Sequence, residues 1–372
     1  MKAIKLYGKN DIRLETDIPV PEIENDNEVL IEVAWCGICG SDVKRIKDGH
    51  NYLSCNSDLS STFKAYSLFL GHEISGIVKS IGEKVVNVKI GDRVVIDSSN
   101  FCGIFMDHDN LNINNTMKAL ELSKVVVDGN NSDACGCCSS VNSVSKGGGL
   151  AEYVVYEAHH VVKISNKIPL DIAALMQPLA ACWHAVEKSH FKKGEEALVI
   201  GGGPSGIGVL QCLDAMGAED LYLADPDLNK RRRALRFNDC CTFDYMNHDL
   251  RYIKHFSTDA KGFHTVFGCS ELPSSFDAAI ASLRPGGIAM WSPKLVNNCN
   301  HKNNTPDSAC YNSKDFQNVL HSLECGMIDP MKTALTITHK YTLEGCIDNK
   351  ILHTMEADER IIVTPRKSLN LN

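Results

Sequence analysis

No stretch of the 372 residues is apolar over the length that a membrane-spanning helix needs. The opening residues, MKAIKLYGKN, lack the apolar core of a secretory signal. Instead, Ile4 and Leu6 alternate with lysines and predict a first strand. Basic blocks are also missing. The chain has 38 basic and 46 acidic residues for a net charge of −8, and Arg231–Arg233 is its one short arginine run. A membrane span is therefore excluded, and nucleic acid is not expected as a partner. Without a secretion signal, the sixteen cysteines are expected to be reduced thiols in a cytoplasmic protein, with metal ligands among them.

What is present is organised around Ala197 to Asp225, ALVIGGGPSGIGVLQCLDAMGAEDLYLAD. An apolar run from Ala197 to Ile200 enters a glycine cluster. Ile207, Leu210, Leu213 and Met216 then share one helical face. A second apolar run, Leu221 to Ala224, meets Asp225. Strand, glycine turn, helix, strand and acid form the context of a dinucleotide fingerprint. Gly201 allows the tight turn, Gly203 lets a pyrophosphate approach the backbone, and Gly206 lets the helix pack on the sheet. The helix start offers free N–H groups to phosphate. Asp225 follows about 20 residues on, where a carboxylate accepts from a ribose diol. It repels a 2′-phosphate, so NAD(H) is expected over NADP(H), while Arg231, Arg232 and Arg233 keep the second open. The alternative is a glycine-rich turn in another kind of parallel α/β domain.

Residues 1 to about 100 carry short β-type runs broken by Gly, Pro, Asn and Asp, which predict a barrel-like β domain. Residues 97–148 form a long polar tract holding Cys102, Cys135, Cys137 and Cys138, with a helical patch near Thr116 to Leu122. Strand character returns at 147–156. IPLDIAALMQPLAACWHAVEK (168–188) reads as two helical pieces. Asp171 caps the first, and Pro178 separates them, with Gln177 at the junction. From Ala197 a βαβα pattern predicts a doubly wound parallel sheet. Its later strands fall at Thr265 to Phe267 and Ile288 to Trp291, with Leu283–Gly287 as a turn.

Seven motifs together resemble the zinc-dependent medium-chain dehydrogenase/reductases over nearly the whole chain. They are GICGSD (37–42), GHEISGIV (71–78), KIGDRVV (89–95), GGLAEYVV (148–155), QPLAACWHAV (177–186), FKKGEEALVIGGGPSGIG (191–208) and LRPGGIA (283–289). Within that family the chain is most similar to fungal (R,R)-2,3-butanediol dehydrogenases, then to sorbitol dehydrogenases. The resemblance implies an α/β two-domain chain. A GroES-like β-barrel catalytic domain (1–165, with 97–148 a variable lobe) precedes a Rossmann domain (166–300), and 301–372 return to the catalytic domain. It implies NAD-linked hydride transfer at zinc on a small alcohol or ketone. Cys39 and His72 match metal ligands, Glu73 a carboxylate at or beside the metal, and Ser41 the hydroxyl that starts a proton relay. Gly201, Gly203, Pro204, Gly206, Asp225 and Cys269 fall at the cofactor.

The chain departs from that pattern in four places. Gln177 stands where the subgroup has a glutamate that serves the zinc, and an amide oxygen is the poorer ligand. Lys44 replaces the histidine that ends the relay. The four-cysteine structural zinc lobe is reduced to CGCC around Cys135, with Ser132 and Ser143 near positions where cysteines fall, so one zinc is expected and a structural zinc is not. The polar tract KLVNNCNHKNNTPDSACYNS (294–313) follows Trp291, where family dimers extend their sheets, so a homodimer through that edge is in doubt. Three readings stay open: a zinc- and NAD-dependent dehydrogenase, a zinc-free reductase on the same scaffold, and a catalytically impaired NAD-binding paralogue with a degraded zinc site.

Overall fold

The computed structural model describes residues 1–48, 68–98, 148–237, 240–247, 258, 261–270, 272–291, 311–356 and 359–366. Cys102, Cys135, Cys137, Cys138, the patch at Thr116 to Leu122 and nearly all of the 294–313 tract lie outside these residues. Among the described residues, no helix is long and apolar enough to cross a membrane.

The chain divides into two units, 1–177 with 337–372, and 178–336. The sequence reading puts these boundaries at 165 and 300, and the differences have local causes. Residues 166–177 are tied to the β unit. Ser75 Oγ donates to Leu170 O at 2.6 Å, an Arg93 guanidinium nitrogen donates to Ile168 O at 2.6 Å, and Ala174 and Leu175 pack with Trp35 and Ile362. Residues 311–336 are tied to the other unit through His184 Nδ1 to Asp315 Oδ2 (2.7 Å) and Thr333 Oγ1 to Gln211 Oε1 (3.2 Å).

The first unit is built mainly on antiparallel pairing, with one parallel pair contributed by residues 337–372. Its strands are β1 (Ala3–Gly8), β2 (Asp11–Glu15), β3 (Glu28–Gly37), β4 (Leu68–Phe69), β5 (Glu73–Ile81), β6 (Arg93–Ile96), β7 (Tyr153–Glu157) and β8 (Val161–Lys163). Helix α1 (Gly40–Asp48) follows β3. Residues 337–372 add strands β14 (His339–Thr342) and β15 (Ile361–Thr364). The larger sheet runs β14-β15-β3-β5-β6-β8, with β7 also on β3. Ile31, Val33, Ile74, Val78, Val94 and Val363 fill its core, each side chain contributing about 1.5–3 kcal/mol when fully buried.

The second unit is a parallel sheet in the order β11-β10-β9-β12-β13. Here β9 is Ala197–Ile200, β10 Leu221–Ala224, β11 Cys241–Phe243, β12 Phe263–Gly268 and β13 Leu283–Trp291. Every residue of β9 is buried, as a central parallel strand covered on both faces requires. Two expectations change. Residues 283–287 are an irregular start to β13, not a free turn: Leu283 pairs with Phe263, and the register then jumps to Ile288 opposite Thr265. Asp171 is not a helix cap. Ala173 N donates to Pro169 O, so helix α2 (Leu170–Ala173) opens on Pro169, and the Asp171 carboxylate meets Lys340 Nζ at 2.6 Å. Helix α3 (Met176–Lys188) holds both Gln177 and Pro178 in its first turn, where a backbone N–H has no helical partner to lose.

Candidate functional site

Strand register brings Cys39 and His72 together. The β3–β5 ladder ends with Gly37 opposite Glu73. Cys39 lies just past that end of β3, and His72 just before β5. β15 joins β3 at the same end, with Ile362 opposite Gly37 and Ile38 N donating to Ile361 O. Arg360 therefore arrives there too. The ligand atoms of Cys39, His72 and Glu73 all lie within 4.8 Å of one another.

Two charged residues that the sequence reading left without a role support this cluster. Asp42, fully buried on the first turn of α1, accepts from Cys39 N at 3.1 Å and from Gly71 N at 3.3 Å. Its Oδ1 also lies 3.6 Å from His72 Nδ1. A histidine that turns Nδ1 toward a carboxylate keeps Nε2 for a metal. Arg360 places a guanidinium nitrogen 3.5 Å from Glu73 Oε1. The other oxygen, Oε2, is buried and unpaired. Gly37 makes room for it, because a Cβ there would stand 2.0 Å from that oxygen. Asp42 sits inside the GICGSD motif, so its signal was available. Nothing in the sequence near Arg360 announces its partner.

The unpaired atoms test whether a metal fits. Among the described residues, nine buried side-chain nitrogen and oxygen atoms lack a hydrogen-bond partner. Five of them belong to Ser41, His72 (both ring nitrogens), Glu73 and Gln177. Each such atom costs about 1–3 kcal/mol when left unsatisfied. A cation bound by these side chains removes part of that cost. A thiol, an imidazole and a carboxylate are a donor set that suits zinc. Gln177 is 6% exposed, so its amide oxygen is cut off from solvent. Lys44 is exposed on α1.

The ionisation of the cluster points the same way. Burial works to raise the Cys39 thiol, but the neighbouring His72 ring outweighs it and brings the net shift below the ordinary value. Burial works against the His72 cation, yet the Asp42 carboxylate and the Cys39 sulfur raise its pKa well above the usual imidazole value. Burial lifts the Glu73 carboxyl, with Arg360 opposing. The cluster thus favours a thiolate beside a positive charge, the role that a metal ion takes over once the imidazole proton leaves.

In the second unit, the turn after β9 is assembled from backbone. Gly201 has φ +110°, and a Cβ on it would meet Cys269 backbone atoms at 2.7–2.8 Å. Cys269 N in turn donates to Ile200 O. Gly203 is the N-cap of helix α4 (Pro204–Ala215) and supplies no side-chain cap. Pro204 takes the first helical position, where its fixed φ suits and its missing N–H costs nothing. A Cβ on Gly206 would stand 1.8 Å from Gly201 O. The Asp225 carboxylate is buried. Its Oδ2 accepts from Gly202 N and its Oδ1 from Asp227 N, each at 2.8 Å. Each oxygen still has a lone pair for a ribose hydroxyl. A side-chain-free cradle at an uncapped helix start fits a pyrophosphate.

Residues 25–166 match the alcohol dehydrogenase GroES-like domain family. The (R,R)-butanediol dehydrogenase of Saccharomyces cerevisiae is 31% identical, with 98% of each chain covered. A sorbitol dehydrogenase of Bombyx mori is 33% identical over 60% of this chain and 56% of its own. Among solved structures, the 2R,3R-butanediol dehydrogenase of Bacillus subtilis superposes with a TM-score of 0.71 at 26% identity, covering 98% of this chain and 99% of that one. The two units are accordingly a GroES-like β domain and a Rossmann sheet, and the chain belongs to the medium-chain zinc-dependent alcohol dehydrogenase family.

Proposed function

We propose that this chain is a zinc- and NAD-dependent oxidoreductase of small secondary alcohols and ketones, with a vicinal diol such as 2,3-butanediol, its hydroxyketone acetoin, or a polyol as substrate. The convergence of Cys39, His72 and Glu73, with unpaired atoms on His72 and Glu73, carries the reading. The butanediol preference leans on the relatives in yeast and Bacillus.

When bound, zinc supplies Lewis acidity that polarises the substrate oxygen and favours the alkoxide. Cys39 contributes thiolate and His72 a neutral imidazole turned by Asp42. Glu73 offers Oε2 while Arg360 holds Oε1. Gln177 presents a neutral oxygen where a carboxylate is expected from the resemblance, so the site carries one negative charge less. Ser41 Oγ, buried and unpaired, accepts the proton of the substrate hydroxyl and passes it on. Lys44, exposed on α1, stands where the resemblance places the histidine that ends the relay, and a lysine side chain offers no ring nitrogen to take that part. The proton leaves to water. In the second unit, Gly201, Gly203, Pro204 and Gly206 receive the pyrophosphate. Asp225 accepts from the ribose and sets the preference for NAD(H).

The test is steady-state turnover of the zinc-loaded chain with NAD+ on the stereoisomers of 2,3-butanediol and on sorbitol. Turnover that vanishes in Cys39→Ala and His72→Ala is expected. Turnover indifferent to both changes, or surviving a strong chelator, points instead to a zinc-free reductase. NAD(H) binding with no turnover on any secondary alcohol points to an impaired paralogue, the reading that Gln177 and Lys44 favour.

A further inference from the structure

Helix α5 (Leu228–Ala234) and the turn after it carry arginines at 231, 232, 233 and 236. They do different work. Arg231 is tied into the fold. One guanidinium nitrogen donates to Asp225 O at 2.6 Å and to Pro226 O at 2.9 Å, and lies 3.7 Å from Asp244 Oδ2. Arg232, Arg233 and Arg236 have no such partner among the described residues. With Asn229 they line an open surface hollow of about 370 Å³.

Asn229, Arg232 and Arg233 share one face of α5, and Arg236 joins them from the turn after it. Among the described residues no carboxylate lines the hollow with these three guanidinium groups, and like charges repel. The arrangement is costly in isolation and favourable around an anion. It stands out in a chain with a net charge of −8. Guanidinium forks match phosphate oxygens two at a time, and an asparagine amide adds a neutral donor. We infer that Asn229, Arg232, Arg233 and Arg236 form a binding site for a phosphate-bearing small molecule.

This face is centred away from the one that serves the glycine turn and borders it at Arg233, three residues after Lys230. Lys230 makes that contact, since a Cβ on Gly202 would meet Lys230 Cβ at 2.9 Å. One residue of helix rotates the side chain by about 100°. Two sources of phosphate remain, the 2′-phosphate of a dinucleotide and a separate phosphorylated compound. The buried Asp225 carboxylate disfavours the first, so the separate compound is the expected source.

The experiment is calorimetric titration of the full chain with inorganic triphosphate, NAD+ and NADP+. The same titrations follow on R232Q/R233Q/R236Q and on K188Q/K192Q/K193Q, which removes three exposed charges elsewhere in the same unit. Circular dichroism checks that both variants fold. Triphosphate is expected to bind the natural chain and the lysine variant alike, and the arginine variant at least about tenfold more weakly. Unchanged triphosphate binding at saturating NAD+ identifies a separate ligand. An NADP+ preference that disappears in the arginine variant identifies the 2′-phosphate. Either supports the site. No binding by the natural chain, equal binding by the arginine variant, or equal weakening in the lysine variant overturns it.

Discussion

The candidate metal cluster and the glycine turn after β9 are built on opposite plans. Around Cys39, His72 and Glu73 the working atoms belong to side chains, and several are buried without partners. Around Gly201 to Gly206 the working groups are backbone, and the one side chain that matters, Asp225, already has both oxygens bonded. A side-chain site of this kind is completed by its ion, whereas a backbone site is complete before its ligand comes. The first should therefore respond strongly to metal and pH, and the second to steric change alone.

Removing a ligand breaks the comparison most severely. Cys39→Ala or His72→Ala should take zinc from about one per chain to near zero by elemental analysis, and turnover with it. NAD+ affinity should stay within about threefold by calorimetry, roughly 0.7 kcal/mol. Equal loss of NAD+ binding would show that the two regions are not separate.

The glycines sharpen it. Gly206→Val drives a Cβ into Gly201 O and should weaken NAD+ at least about tenfold while zinc content holds. Gly37→Ala drives a Cβ into Glu73 Oε2 and should weaken zinc about 10–100-fold, measured against a chromophoric chelator, with NAD+ binding kept.

The pH response is smaller. In the metal-free chain the His72 pKa is raised above its unfolded value. Its contribution to stability is then complete below about pH 6.5 and is lost as pH rises through the higher folded value. Urea titrations at increasing pH should show the metal-free chain weakening over that window. The zinc-loaded chain should not weaken there, because the metal replaces the imidazole proton. Parallel curves for the two forms would remove His72 from the cluster. The smallest effect is expected from Gln177→Glu, which should tighten zinc several-fold by restoring a carboxylate.

These plans also explain what the sequence discloses. A backbone site needs glycines at fixed offsets between two apolar runs, so Gly201, Gly203 and Gly206 stand out from the chain alone. A side-chain site needs strand register. Nothing in GICGSD or GHE says that Gly37 lies opposite Glu73, and without the family resemblance Cys39 reads as a buried thiol. Arg360 reaches Glu73 only because β15 joins β3 at the same end. Helix and turn boundaries slipped where a proline or a register jump decided the matter. Asp171 lost its cap role to Pro169, and 283–287 became an irregular strand start.

Zinc per chain is the most direct measurement of the central claim, made by elemental analysis on natural, Cys39→Ala and Gln177→Glu protein purified with zinc present. The account predicts about one zinc in the natural chain, none in Cys39→Ala and about one in Gln177→Glu. Zinc near zero in the natural chain, restored by Gln177→Glu, would contradict it and leave a nucleotide-binding protein whose metal site has decayed.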